Sequence, residues 1–286
     1  MNIFEGLEKF GLNISDQTDL FGEEKKEKKE NETAVQKEVI PTEEDYLMDK
    51  TARCTVCDKT FPTKAVRTTK LRRLDPDKDL RPRFQYIDTI KYDITSCPYC
   101  GYTGMNRYYD HLSSMQIRLI RESVGANFKP TTVGVPSVYD YGYAIERYKL
   151  SLFCTIVKKG SVSERAYTCL KLAWLCRGKA EEMLEKGMTE ESETLKNCRK
   201  EEMTYYAQAY EGMSKAVSSE SFPICGMDQY TMDLLLAAMA FKLEKYDEAS
   251  RFISRLLVSR SASANVRKRA FDLKEEILEK LKSKEQ

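Results

Sequence analysis

The chain has 286 residues, 41% hydrophobic and 32% charged, which is enough apolar side chain for a real core in one large or two modest domains. Lysine and arginine number 47 against 45 aspartate and glutamate, so no global charge draws the chain to nucleic acid or to an anionic membrane, and any such attraction has to be local. The first residues lack a basic and then apolar leader, and the longest apolar run, Leu234 to Phe241, falls far short of the ~20 residues a bilayer requires.

A cytoplasmic protein is therefore expected, in a compartment where thiols stay reduced and paired cysteines favour metal over disulfide. Nine cysteines, an odd number, fit a disulfide framework poorly.

In chain order, Ile3, Phe4, Leu7, Phe10 and Leu12 recur at near-helical spacing and predict a short amphipathic helix or tail over 1–22. Glu23 to Glu44 then hold eight acids and five bases with little to bury, predicting a disordered charged linker over 23–44.

Residues 45–109 read as a metal-binding module. Cys54-Thr55-Val56-Cys57 and Cys97-Pro98-Tyr99-Cys100 are separated by 39 residues. A two-residue gap lets each tight turn present two sulfurs from one side, and two such turns complete a tetrahedron. The spacing predicts one structural Zn²⁺ held by Cys54, Cys57, Cys97 and Cys100, with a closed shell that leaves no position for a reacting water. The competing reading of the same cysteines is a thiol redox sensor, although a thioredoxin-type pair opens a helix in a βαβ context and these pairs flank strands. Phe61 to Leu71 has strand character, and Ile90, Tyr92 and Ile94 alternate with Lys91, Asp93 and Thr95 as a half-buried strand does. Asp75-Pro76-Asp77-Lys78-Asp79 between them is turn chemistry. A long hairpin between two knuckles fits a rubredoxin-like zinc ribbon.

Residues 110–282 read as helical. Ser113 with Gln116 forms a capping box, and Leu112 before the cap can staple onto Ile117. Tyr141, Ile145, Tyr148, Leu152 and Ile156 make one apolar stripe. Ser161 with Glu164 caps a helix that is apolar on two faces, carrying Ala166, Leu170 and Trp174 on one and Cys169, Leu172 and Cys176 on the other, as expected of a helix sandwiched between neighbours. A long polar helix follows from about Glu190 to Val217, with Leu195, Tyr206, Tyr210 and Met213 on its inner face. Asp228 caps the next. Leu236, Ala237, Ala240, Tyr246, Ala249, Ile253 and Leu256 then match the bulky and small positions of a tetratricopeptide helix pair, with Lys245-Tyr246-Asp247-Glu248-Ala249 as the turn between helices. Val266, Ala270, Leu273 and Ile277 line one face of a closing helix.

Taken together, the first knuckle, the strand Lys91-Tyr92-Asp93-Ile94 running into Cys97-Pro98-Tyr99-Cys100-Gly101-Tyr102, the helix Lys171-Leu172-Ala173-Trp174-Leu175-Cys176-Arg177 and the late helix pair resemble one bacterial family, domain of unknown function 2225. The similarity covers roughly Asp45 to Leu281. It implies a zinc-ribbon-like head followed by a tetratricopeptide-like body, and it carries over no catalytic residue. The expected fold is α+β and mostly α: a small rubredoxin-like ribbon, then an antiparallel bundle of tetratricopeptide-like helix pairs.

His111 is the sole histidine, and no nucleophile elbow or phosphate-cradling glycine loop is present, so no catalytic or cofactor-binding residue is assigned and an enzyme is not expected. Cys154, Cys169, Cys176, Cys198 and Cys225 lack ligand spacing and read as small core residues. Trp174 and the tyrosines at 141, 143, 148, 167, 205, 206 and 210 read as core, some of them available to line a helical groove. The expected role is a scaffold with a protein partner in that groove, without a membrane or an evident small-molecule substrate. The alternative is a nucleic-acid-associated protein using the basic hairpin of residues 64–73, where Lys64, Arg67, Lys70, Arg72 and Arg73 meet no acid.

Overall fold

The computed structural model describes residues 40–130 and 134–284. The helix expected over 1–22 and most of the charged linker lie outside the described residues. The linker's last residues lie within them: a compact unit begins at Pro41, and Glu43–Tyr46 form a 3₁₀ turn. Glu43 in that turn pairs with Lys91 Nζ at 2.7 Å and accepts the Tyr92 hydroxyl at 2.8 Å.

Three antiparallel two-stranded hairpins make the head. β1 (Leu47–Arg53) pairs with β2 (Thr60–Val66), Leu47 opposite Val66 and Arg53 opposite Thr60. β3 (Arg73–Leu74) pairs with β4 (Arg83–Phe84), and β5 (Ile94–Ser96) with β6 (Thr103–Met105). Each knuckle therefore sits at the tip of its own hairpin, which corrects the expectation of one long hairpin inserted between the knuckles.

A second correction concerns Ile90 to Ile94. Thr89–Tyr92 form a 3₁₀ turn, because the Asp88 carboxylate accepts the Ile90 amide at 3.0 Å and caps it. Ile90, Lys91 and Tyr92 are all buried, so the period-2 pattern reflects a turn enclosed on every side, and the strand begins only at Ile94.

After a single helical turn, α1 (Asn106–Tyr109), the chain is helical as read. α2 (Ser114–Ile120) opens on the Ser113–Gln116 capping box and runs into a wider π turn over Arg121–Gly125. α3 (Tyr141–Val157), α4 (Val162–Glu185) and α6 (Gln229–Lys242) are each N-capped by a side chain, from Asp140, Ser161 and Asp228 in turn. α5 (Glu193–Ser219) lies on α4, α7 (Tyr246–Val258) on α6, and α8 (Ala264–Lys284) on α7. Buried positions run without a break from Thr168 to Cys176 in α4 and from Met232 to Ala240 in α6, the mark of helices enclosed on both sides. The α3 stripe holds except at its end, where Ile156 is 54% exposed and Cys154 turns inward instead.

Head and helices share a core. Ile90, Ile94 and Met105 belong to the same apolar cluster as Leu170, Leu175 and Tyr206, and the buried Tyr148 hydroxyl donates to the Ile90 carbonyl at 3.0 Å.

The turn around Asp77 exists as read, with the Leu80 amide donating to the Asp77 carbonyl at 2.9 Å, but its acids do more than form a turn. Asp79 is buried and accepts Arg177 Nη2 at 2.6 Å and Trp174 Nε1 at 3.1 Å. Arg177 also reaches Asp77 at 3.1 Å and, through Nε, Glu202 of α5 at 2.9 Å, and Glu202 is paired in turn with Lys242. The β3–β4 loop is thus clamped between α4 and α5 by buried charge. Burial alone would raise the Asp79 carboxyl, but the Arg177 hydrogen bonds and charge, with the Trp174 N–H, hold it below the usual carboxylate range.

An acid depressed in the folded state stabilises the fold above its unfolded pKa and loses that contribution as pH falls through the folded value. Urea midpoints of the native chain should therefore drop as pH is lowered below about 4. Asp79→Ala, which strands Arg177, should cost about 3–5 kcal/mol near neutral pH and flatten that acid limb. An unchanged midpoint would contradict the clamp.

Candidate metal centre

The two knuckles are built on one plan. In the first, the Cys54 amide donates to the Lys59 carbonyl at 2.9 Å, the Asp58 amide returns to the Cys54 carbonyl at 2.8 Å, and Asp58 takes φ +61. In the second, the Cys97 amide donates to the Tyr102 carbonyl at 2.8 Å, the Gly101 amide returns to the Cys97 carbonyl at 3.0 Å, and Gly101 takes φ +74. A left-handed residue just after each second cysteine closes the turn and points both sulfurs to the same side. At Gly101 a side chain is excluded twice over, because a Cβ would also lie 2.3 Å from the Phe128 ring.

The four sulfurs lie within 4.8 Å of one another. Cys54 Sγ is 3.6 Å from Cys100 Sγ, and Cys57 Sγ is 3.6 Å from Cys97 Sγ, so each contact joins one knuckle to the other. Such crowding makes the thiols compete. Contact with the Cys100 and Cys97 thiols draws the Cys54 thiol far down. Contact with the Cys54 and Cys97 sulfurs pushes the Cys100 thiol far up. A cation bound among the four sulfurs would displace the thiol protons, the linkage expected of a single metal site.

The surroundings hold the cluster rigidly. Cys54 and Cys97 are fully buried among Val56, Phe61, Tyr102, Tyr109, Ile120 and Val124. Tyr102 and Tyr109 stack at 4.7 Å, and the Tyr102 hydroxyl donates to the Tyr109 carbonyl at 2.9 Å. Arg121 Nη2, in the π turn, donates to the Val56 carbonyl at 2.7 Å and ties the first knuckle to the helix beside it. Burial first, and the Cys54 sulfur beside it next, push the Tyr109 phenol well above its ordinary range.

The structure brings together all four cysteines singled out by spacing and leaves the others apart. Cys154, Cys169, Cys176, Cys198 and Cys225 are buried among the helices, with Cys154 against the cluster as a packing residue and Cys198 Sγ donating to the Cys176 carbonyl at 3.1 Å. His111 is exposed and outside the cluster. Of the basic residues between 64 and 73, Lys64 pairs with Asp49 at 2.7 Å, Arg67 Nε donates to the Leu47 carbonyl at 2.7 Å and Lys70 Nζ to the Asp45 carbonyl at 3.1 Å, which leaves Arg72 and Arg73 exposed. Sequence reasoning missed the Asp79–Arg177–Glu202 chain, whose members are ordinary surface types and whose only signal is a tryptophan and an arginine on the same apolar helix.

The helices carry an open groove of about 890 Å³ bordered by α5 and the turn between α6 and α7. Tyr210, Lys215, Leu243, Lys245 and Glu248 line it, and the Tyr210 hydroxyl donates to Glu248 at 2.6 Å. Among the described residues, no helix is long and apolar enough to cross a membrane.

A two-knuckle, four-cysteine head packed against antiparallel helix pairs defines the class of protein. The chain belongs to the family described as an uncharacterized protein conserved in bacteria, DUF2225, whose model matches residues 47–277. No curated protein and no solved structure matches the chain.

The knuckle geometry separates two substitutions at equivalent positions. Gly101→Ala meets both the positive φ and Phe128, and should weaken metal retention by about 1–3 kcal/mol in a chelator-competition titration. Asp58→Gly relieves the left-handed cost and should retain metal at least as well as the native chain. Equal retention by Gly101→Ala would refute this account of the turn.

Proposed function

We propose that Cys54, Cys57, Cys97 and Cys100 hold one structural Zn²⁺, and that the protein is a non-catalytic scaffold receiving a protein partner in the groove of its helix pairs. The sulfur geometry carries the first half. Four thiolates about 2.3 Å from a zinc ion stand about 3.8 Å apart along each edge of the tetrahedron. The observed contacts of 3.6 Å, within a cluster no wider than 4.8 Å, are close to that figure. Zinc would neutralise two of four thiolate charges and leave no coordination position for water, which suits a fastener rather than a hydrolytic centre.

The groove supports the second half. Tyr210 and Leu243 give it an apolar floor, and Lys215, Lys245, Glu211 and Glu248 give it charges of both signs, a mixture suited to a peptide or a helix surface. Nucleic acid is the weaker reading, since Lys64, Arg67 and Lys70 are spent on internal contacts.

Elemental analysis of freshly purified chain should give one zinc per molecule, and Cys54→Ser or Cys97→Ser should abolish it. Metal-free protein with peroxide-reversible bridges among the four cysteines would replace zinc by the redox-sensor reading. Crosslinking mass spectrometry in native cells should place partner peptides on the groove, surviving nuclease and weakened by Tyr210→Ala combined with Lys245→Glu. Crosslinks confined to residues 64–73 and lost on nuclease treatment would overturn the scaffold.

A further inference from the structure

A second cavity, of about 380 Å³, opens beside the metal cluster. Its walls include Phe61 and Pro62 of β2, Pro98 and Tyr99 between the cysteines of the second knuckle, and Tyr143 and Arg147 of α3. The volume is in the range of small-molecule sites, and the lining is largely aromatic and proline.

Arg147 sets this cavity apart. Its guanidinium lies 3.3 Å from the centre of the Tyr143 ring and 5.8 Å from that of Tyr139, a stacked position that fixes its plane. Tyr139 is itself stacked on Tyr92 at 4.8 Å, and its hydroxyl accepts the Lys64 amide at 3.2 Å and shares a hydrogen bond with the Thr63 hydroxyl at 3.4 Å, so the platform beneath the arginine is braced by β2. Three other enclosed arginines are matched to acids, Arg81 with Asp88 and Glu181 at 3.0 Å, Arg83 with Glu181 at 2.7 Å and Arg177 with Asp79 at 2.6 Å, and Arg269 donates to the Asp77 carbonyl at 2.6 Å. Among the described residues, no carboxylate pairs with Arg147 and no acceptor hydrogen-bonds it, and the neighbouring Glu146 acts on it only through its charge. Burial lowers its guanidinium from the ordinary value, whereas bonding to acids raises Arg83 and Arg177.

A half-buried, oriented fork of five N–H donors without an anion is an incomplete pair. We propose that this cavity binds a small carboxylate with an apolar or aromatic body, its carboxylate taken by Arg147 and its body lying against Phe61, Pro62, Pro98 and Tyr99. A carboxylate fits better than a phosphate, because one guanidinium balances one charge and matches two oxygens, whereas a dianion would leave a second charge against apolar walls. Two cavity residues are the spacers of the second knuckle, so the metal cluster shapes one wall of the site.

The test uses the full chain with the metal it carries on purification, followed by ¹⁹F NMR with 4-fluorophenylacetate, its neutral analogue 4-fluorophenylacetamide, and competition by isovalerate or phenyl phosphate. Saturable binding of 4-fluorophenylacetate is expected, with isovalerate displacing it and the amide and phenyl phosphate binding at least tenfold more weakly. Arg147→Gln should weaken the acid by about 10- to 100-fold, the worth of hydrogen bonds to a charged group. Arg147→Lys, which keeps the charge and loses the fork, should fall between and guards against a folding defect in the first variant. Equal binding of acid and amide, tighter binding of phenyl phosphate, no saturable binding of either carboxylate, or Arg147→Gln within twofold of native would each overturn the proposal.

Discussion

Four cysteine sulfurs within 4.8 Å of one another cannot all be thiolates unless a cation lies among them, and the head of this protein is arranged around that condition. Its three sheets have two strands each, and two-stranded hairpins are marginal on their own in water. The apolar cluster around the knuckles is small, with Val56, Phe61, Tyr102, Tyr109, Ile120 and Val124 at its centre. Burial of that size leaves little margin over the chain entropy of ordering such short elements. The structural metal proposed for this site, with a binding free energy on the order of 10 kcal/mol, would supply what the apolar cluster lacks. The two knuckles share one hydrogen-bonding plan because both must present two sulfurs to one point.

A second set of charges attaches the head to the helices. Arg81 and Arg83 meet Glu181 of α4, and Asp77 and Asp79 meet Arg177 one turn earlier. Close approach is possible because position 178 is glycine, where a Cβ would lie 2.5 Å from Tyr141 and 2.6 Å from Arg81. From Asp79 the chain of pairs continues through Arg177 and Glu202 to Lys242, one residue before Leu243 at the edge of the groove. Buried pairs of this kind contribute less to net stability than to fixing one arrangement, since any alternative docking would strand a charge.

Much of this was legible in the sequence because the signals were local. The cysteine spacing, the caps at Ser113, Asp228 and Ser161, and the α3 stripe as far as Leu152 each depend on residues a few positions apart, and the structure places them as the spacing implies. The misses are long-range. β1 escaped notice because Met48, Asp49, Lys50 and Thr51 are exposed on both faces of a two-stranded ribbon, which erases the period-2 pattern. Tyr92 looked like a strand residue because its partner, Glu43, lies 49 positions away, inside a tract whose composition reads as linker. Asp79 passed for turn chemistry, since its burial comes from a helix that begins more than 80 residues later. Arg147 carries no sequence signal at all, because what distinguishes it is the absence of an acidic partner among the described residues.

The central claim is that the metal cluster folds the head while the helices stand on their own packing. Hydrogen exchange on metal-loaded and metal-stripped chain tests it most directly. Stripping should remove protection from β1, β2, β5 and β6 and from residues 120–128, which pack on the knuckles, and leave the amides of α4 to α7 as slow as before. Unchanged protection at the knuckle hairpins, or equal loss throughout the helices, would contradict the account.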